Sequence, residues 1–187
     1  MSLVNIKDID PSITIDIRYA TFNNFTNQKL YSTPLCFLQD EVAKALKQAQ
    51  NYLRLIGLGL KIFDGYRPLS VQKLLWDILP NPKFVADPHN GASFHNRGAA
   101  VDVTLINFET KQELVMPTEF DSFDNRAHSF YPDLPEKVIK NRSLLQYAMT
   151  KNGFEVLPTE WWHFNYSGGA KFALLDIPIG ELNAALC

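Results

Sequence analysis

Four histidines occur in the 187 residues, His89, His95, His128 and His163, and two of them stand in company that suggests chemistry. His95 belongs to Ser93-Phe94-His95-Asn96-Arg97-Gly98-Ala99-Ala100-Val101-Asp102. An imidazole and a carboxylate at this spacing converge if the chain turns back between them, and Gly98 permits the tight turn. Asp102 is flanked by Val101 and Val103. A carboxylate inside an apolar strand is expensive unless it is paired or bound to metal. His163 belongs to Glu160-Trp161-Trp162-His163-Phe164, and its large apolar neighbours imply burial. On a regular strand Glu160 and His163 would face opposite ways, so Glu160 is expected at the turn that enters the strand. Two histidines, an aspartate and a spare glutamate suit a hydrolytic zinc site. Three protein ligands leave the fourth position for water. Zinc lowers the pKa of that water from about 16 to about 7, and a nearby carboxylate can pass its proton to the leaving amine.

A third stretch, Phe63-Asp64-Gly65-Tyr66-Arg67-Pro68, ends an expected strand and opens an expected helix. Arg67 therefore sits on a short, rigid connection, where a guanidinium can stabilise a tetrahedral oxyanion. Each residue also has an ordinary structural reading. A lone histidine is often a hydrogen-bonded core residue, Asp102 could cap a turn or pair with an arginine, Glu160 could lie on the surface, and Arg67 could form a salt bridge. The spacings match neither H-E-x-x-H nor C-x-x-C. Residue types and spacing alone leave both readings open.

The elements that must position these residues follow from periodicity. Gln39 to Ile56 carries Val42, Ala45, Leu46, Ala49, Leu53 and Ile56 at helical spacing, and Gly57 and Gly59 stop it. Leu69 to Leu79 and Ser143 to Asn152 are the other predicted helices, the last closed by Gly153 as a C-cap. Predicted strands are Thr14–Tyr19, Leu60–Asp64, Ala99–Leu105, Phe154–Leu157 and Trp161–Tyr166, which alternate or are rich in β-branched and aromatic residues. Asn81 to Asn96 and Pro117 to Pro135 read as irregular loops. Strands and helices do not alternate strictly, so the expected class is α+β: a small, mainly antiparallel sheet with helices packed on it and the candidate site at the sheet.

Composition narrows the classes. Length favours one domain over residues 1–187. The chain is 46% hydrophobic and 20% charged, ordinary for a globular protein and unlike a disordered one. Its formal charge is −2, which argues against a nucleic-acid partner. No apolar run approaches membrane-spanning length. Cys36 and Cys187 read as two unpaired thiols, in keeping with a reducing compartment. The first twenty residues lack a basic region followed by an apolar stretch, so the expected location is cytoplasmic, or periplasmic or secreted if a leader has been trimmed.

Taken together, Ser93-x-His95-x-Arg97-Gly98-x-Ala100-x-Asp102 and Glu160-Trp161-Trp162-His163 resemble the zinc-dependent D-alanyl-D-alanine dipeptidases, the enzymes of glycopeptide resistance and their relatives. The likeness runs from about Ile15 to Tyr166. It includes Arg18-Tyr19-Ala20-Thr21, Asn24-Phe25-Thr26, Asp64-Gly65-Tyr66-Arg67-Pro68, and Phe120-Asp121-x-Phe123-Asp124 with His128. The resemblance implies one zinc ion held by His95, Asp102 and His163, Glu160 as general base and acid, and Arg67 at the oxyanion. It further implies Tyr19, Ser93 and Asp121 around the two ends of a small dipeptide, with Asp121 suited to the ammonium and Ser93 to the carboxylate. It also implies an α+β fold and a cavity that takes a dipeptide and rejects longer peptidoglycan peptides. The loop from Asn81 to Asn90 matches no family pattern. The expected activity is hydrolysis of D-Ala-D-Ala to two D-alanines. Two other readings share the site: a D,D-carboxypeptidase of peptidoglycan stem peptides, and a zinc-binding module without catalysis.

Overall fold

A computed structural model describes residues 2–184. Its centre is a five-stranded sheet in the order β2-β4-β5-β7-β6. The strands are β2 (Thr14–Ile15), β4 (Leu58–Asp64), β5 (Ala100–Asn107), β6 (Phe154–Val156) and β7 (His163–Tyr166). β2 runs parallel to β4, and the other neighbours are antiparallel. Two long helices, α2 (Asp40–Arg54) and α4 (Glu136–Thr150), pack on this sheet and on each other. On α2 the buried Val42, Leu46, Ala49 and Leu53 repeat at three- and four-residue spacing, as an apolar helical stripe must. On α4 the buried Val138, Arg142, Leu145 and Ala148 keep the same spacing, with Met149 beside them and Arg142 as the one charged member. The remaining helices are α1 (Ile6–Ile9), α3 (Leu69–Ile78) and α5 (Ile179–Ala184). The class is α+β with a mainly antiparallel sheet, as expected.

A second sheet was not legible in the sequence. β1 (Leu3–Asn5) pairs antiparallel with β3 (Phe37–Gln39). It braces the turn that carries His95. Gln39 N donates to Gly98 O at 2.9 Å, and Gln39 Nε2 donates to Arg97 O at 3.0 Å.

Several boundaries moved for physical reasons. The strand expected over Thr14–Tyr19 ends at Ile15, because Arg18–Ala20 turns as a 3-10 helix that sends Tyr19 inward. The strand expected from Trp161 begins at His163, because Trp161 N donates instead to Ala127 O in the loop opposite. The helix expected from Ser143 begins seven residues earlier, at Glu136, after Pro135. Its first two turns, Glu-Lys-Val-Ile-Lys-Asn-Arg, are too polar to show the apolar period, yet Val138 and Arg142 are buried there. α2 ends at Arg54, two residues before the expected Ile56, and the chain turns out of it through Gly57 at φ +72°, a left-handed conformation that glycine adopts without strain.

Candidate metal centre

The site is built on a row across three strands. Asp64 on β4 stands opposite Asp102 on β5, which stands opposite His163 on β7. Neighbouring strands lie about 4.8 Å apart, so the row forces these side chains together. Asp102 points away from Val101 and Val103 because alternate strand residues face opposite sides. His95 reaches the row from the preceding 3-10 turn, Phe94–Arg97. Gly98 reverses the chain there at φ +64°, and a Cβ on it would meet Leu3 Cδ2 at 2.5 Å. Glu160 lies in the turn before β7, with its carbonyl accepting from His163 N at 3.4 Å.

Three donor atoms converge. His95 Nε2 is 3.2 Å from His163 Nδ1, and Asp102 Oδ1 is 3.3 Å from the first and 3.0 Å from the second. All three residues are buried. Ligand atoms about 2.0–2.1 Å from a tetrahedral ion stand about 3.3 Å apart, so these separations fit one small cation. The far sides of the rings set their tautomers. His95 Nδ1 donates to Gly65 O at 2.6 Å, and His163 Nε2 donates to Asn165 Oδ1 at 2.9 Å. Each imidazole then turns a lone pair toward the other and toward a carboxylate oxygen. Three acceptors facing one another in a buried place call for a cation, and carbonyl or carboxamide partners behind histidine ligands are the usual support. Burial tends to lower the His163 pKa, but the Asp102 carboxylate more than reverses this and holds it up. Burial works to raise Asp102, and the His95 and His163 rings hold it far below the ordinary carboxylate range.

The donors open into a cavity of about 580 Å³ that is also lined by Glu160, Arg67, Tyr19, Ser93, Asp121 and Trp162. Glu160 Oε2 is 3.9 Å from His163 Nδ1. Burial raises the Glu160 pKa to about 7, partly opposed by His163. Arg67 is clamped by Asp64 Oδ2, which accepts from Nε at 3.0 Å and from Nη2 at 2.8 Å, and by Gln72 Oε1, which accepts from Nη1 at 2.9 Å. These bonds use three of the five guanidinium N–H donors, leaving one on each Nη. Tyr19 OH donates to Asp121 Oδ2 at 3.0 Å. Burial, then the negative Asp102, push the Asp121 pKa well up. Ser93 accepts from His95 N at 3.2 Å, which leaves its own O–H free to donate.

All eight residues singled out in the sequence therefore face one cavity. Four partners were missed: Asp64, Gln72, Asn165 and the carbonyl of Gly65. Asn165 had a signal, since it follows His163 by two on a strand and so shares its face. Gly65 O had none, because any residue carries a carbonyl. Trp162 walls the cavity, whereas Trp161 is buried behind it with Nε1 donating to Thr118 Oγ1 at 3.0 Å. His128 sits exposed at the rim and is held through its main chain, its carbonyl accepting from Arg142 Nη1 at 3.3 Å. His89 is an exposed loop residue, as expected. Cys36 is buried and free, and Cys187 lies outside the described residues.

On the α+β frame a buried pair of histidines and an aspartate stands beside a glutamate and a clamped arginine, a donor set that suits one small cation. The chain belongs to the peptidase M15 family, described as D-ala-D-ala dipeptidase, which it matches over residues 1–179. It is 36% identical to the D-alanyl-D-alanine dipeptidase of Escherichia coli (strain K12) over 173 residues, 92% of this chain and 89% of that protein. It is 30% identical to the D-alanyl-D-alanine dipeptidase of Enterococcus faecalis (strain ATCC 700802 / V583) over 168 residues, 80% and 83% of the two chains. Among solved structures it is similar to VanYB in complex with D-Alanine-D-Alanine, at 16% identity and a TM-score of 0.47, covering 72% of this chain and 75% of that one.

Proposed function

We propose that this protein is a zinc-dependent dipeptidase that hydrolyses D-Ala-D-Ala to two D-alanines, with residues 1–187 acting as one domain. The observation that carries the reading is the set of His95, Asp102 and His163 donor atoms lying 3.0–3.3 Å apart in the cavity that also holds Glu160 and Arg67. Family membership supplies the reaction class, and the name of the relatives supplies the dipeptide.

His95, Asp102 and His163 would hold one zinc ion per chain. Bound there, zinc supplies a water of pKa about 7 and polarises the scissile carbonyl. Glu160 takes the proton from the attacking water, since its pKa of about 7 suits a base at neutral pH. It then gives that proton to the departing amine. The two unspent N–H groups of Arg67 receive the charge that develops on the carbonyl oxygen. The Asp64 clamp keeps the guanidinium from following the substrate, so the donors are in place before the reaction.

The ends of a free dipeptide explain the rest of the lining. Asp121 suits the ammonium: Tyr19 orients it, and no cationic side chain of the described residues forms a salt bridge with it. Ser93 suits the carboxylate, with its hydroxyl proton uncommitted.

The deciding experiment is D-alanine release from D-Ala-D-Ala by the zinc-loaded protein, with Glu160→Ala as the blank. Release by the wild type alone is the expected result. No release by folded, zinc-loaded wild type would reject the reading.

A further inference from the structure

Three loops with no other common feature each send a phenylalanine to the rim of the cavity. Phe25 comes from the loop before β3, Phe84 from the loop after α3, and Phe123 from the loop that carries Asp121. Phe123 joins the other two: its ring centroid is 5.7 Å from Phe25, at 69°, and 4.7 Å from Phe84, at 53°. These are tilted and edge contacts of the kind aromatic pairs prefer. Phe84 is 38% exposed and Phe123 47% exposed. Phe25 is partly buried and meets Tyr19 edge-on, ring centroids 6.4 Å apart at 88°, so the row of rings runs from the site wall outward to the exposed Phe84 and Phe123.

The loops are pinned beside each ring. Asn24 Nδ2 donates to the carbonyls of Arg18, Thr21 and Gln28, which fixes the turn next to Phe25. Phe84 lies between Lys83, whose N donates to Asn81 Oδ1 at 3.1 Å, and Val85, which is 5% exposed. Ala86 O accepts from the buried Gln72 Nε2 at 2.7 Å. Asp124 Oδ1 accepts from Arg126 N at 2.8 Å just after Phe123. These bonds hold the loop segments that present the three rings.

Asp121 stands two residues from Phe123, at most about 7 Å along the chain. Phe123 therefore lies within reach of a substrate extended at an amino group that Asp121 would hold. We propose that Phe25, Phe84 and Phe123 form an aromatic clasp across the cavity mouth that sets substrate chain length, admitting a free dipeptide and turning away peptides extended at the amino end. The proposal rests on the dipeptidase reading above. It assigns the discrimination to steric closure in addition to any loss of the ammonium at Asp121.

The test compares wild type, Phe84→Ala and the Phe84→Ala/Phe123→Ala double variant on D-Ala-D-Ala and on N-acetyl-D-Ala-D-Ala, all zinc-loaded. The ratio of kcat/KM for the acetylated peptide to that for the free dipeptide should rise at least about tenfold in the double variant, the range expected when a pocket wall is removed. Phe84→Ala alone should move it in the same direction. An unchanged ratio in variants that still cleave the free dipeptide overturns the clasp. So does a wild type that cleaves both peptides equally well. A wild type inactive on the free dipeptide fails the dipeptidase reading instead. If the double variant does not fold, Phe84→Leu, which keeps an apolar side chain and removes the ring, decides by the same ratio.

Discussion

Tyr19 and Asp121 are 102 residues apart in sequence, and the Tyr19 hydroxyl donates to Asp121 Oδ2 at 3.0 Å. The bond comes at a backbone cost, because Asp121 sits at φ +59°, the left-handed region that aspartate tolerates better than most residues. The bond also favours an ionised Asp121, against the burial and the like charge of Asp102 that raise its pKa.

Tyr19→Phe removes the donor and should raise KM for D-Ala-D-Ala with kcat little changed. Asp121→Asn removes the charge and should lower kcat/KM by about 10- to 10²-fold, the worth of a charge-assisted hydrogen bond of about 1.5–3 kcal/mol. Steady-state kinetics on the two variants check this, and an unaltered KM in both would remove Asp121 from the ammonium.

Glu160 predicts the acid limb of the pH profile. The active form of a base is its carboxylate, so activity is lost as pH falls through the Glu160 pKa. Burial sets that pKa at about 7 in the metal-free protein. A cation beside it favours the carboxylate, so the zinc-loaded enzyme should show a midpoint below 7. Glu160→Gln should bind zinc at wild-type stoichiometry, lose about 10²–10⁴ in kcat, and lack the limb. A variant that keeps the limb would assign it to another group.

Arg67→Ala should cost about 10²–10³ in kcat, the loss of one oxyanion donor. It should also destabilise the fold by about 3–5 kcal/mol, because Asp64 is fully buried and would lose its cation. The two effects separate in the double variant Arg67→Leu/Asp64→Leu, which should recover stability in denaturant unfolding and stay inactive. Recovery of activity there would count against the role of Arg67.

Metal content tests the three donors. His163→Ala should hold well under one zinc per chain by elemental analysis. Asn165→Leu leaves all three ligands but frees the His163 ring, and should weaken zinc binding by about 10–100-fold in a chelator competition. Equal affinity would mean that Asn165 Oδ1 does not fix the tautomer.

Gly98→Ala should lower both stability and zinc affinity. The left-handed backbone alone costs about 1–2 kcal/mol for a residue with a Cβ, and that Cβ would meet Leu3 Cδ2 at 2.5 Å and Gln39 N at 3.2 Å. The relief is a shift of the His95 turn. Thermal unfolding with and without zinc measures both effects.

Sequence alone determined the turn at Gly98, the class of the fold, the α2 helix and the main strands, because these depend on residue type and local period. His95, Asp102 and His163 stood out together only through the family motifs, since residue type and spacing left a structural reading open. Asp102 between two valines and His163 among aromatics announced their cost without any structure. Short elements escaped: β1 and β3 carry too few residues to show alternation, and the start of α4 is polar where it faces water. Tertiary structure alone decided the register that aligns Asp64, Asp102 and His163 on three strands. It also decided the main-chain carbonyl of Gly65 that sets the His95 tautomer, and the meeting of Phe25, Phe84 and Phe123 from three loops. Each of these joins atoms far apart in the chain or atoms that every residue carries. Periodicity contains neither kind of information, and packing supplies both.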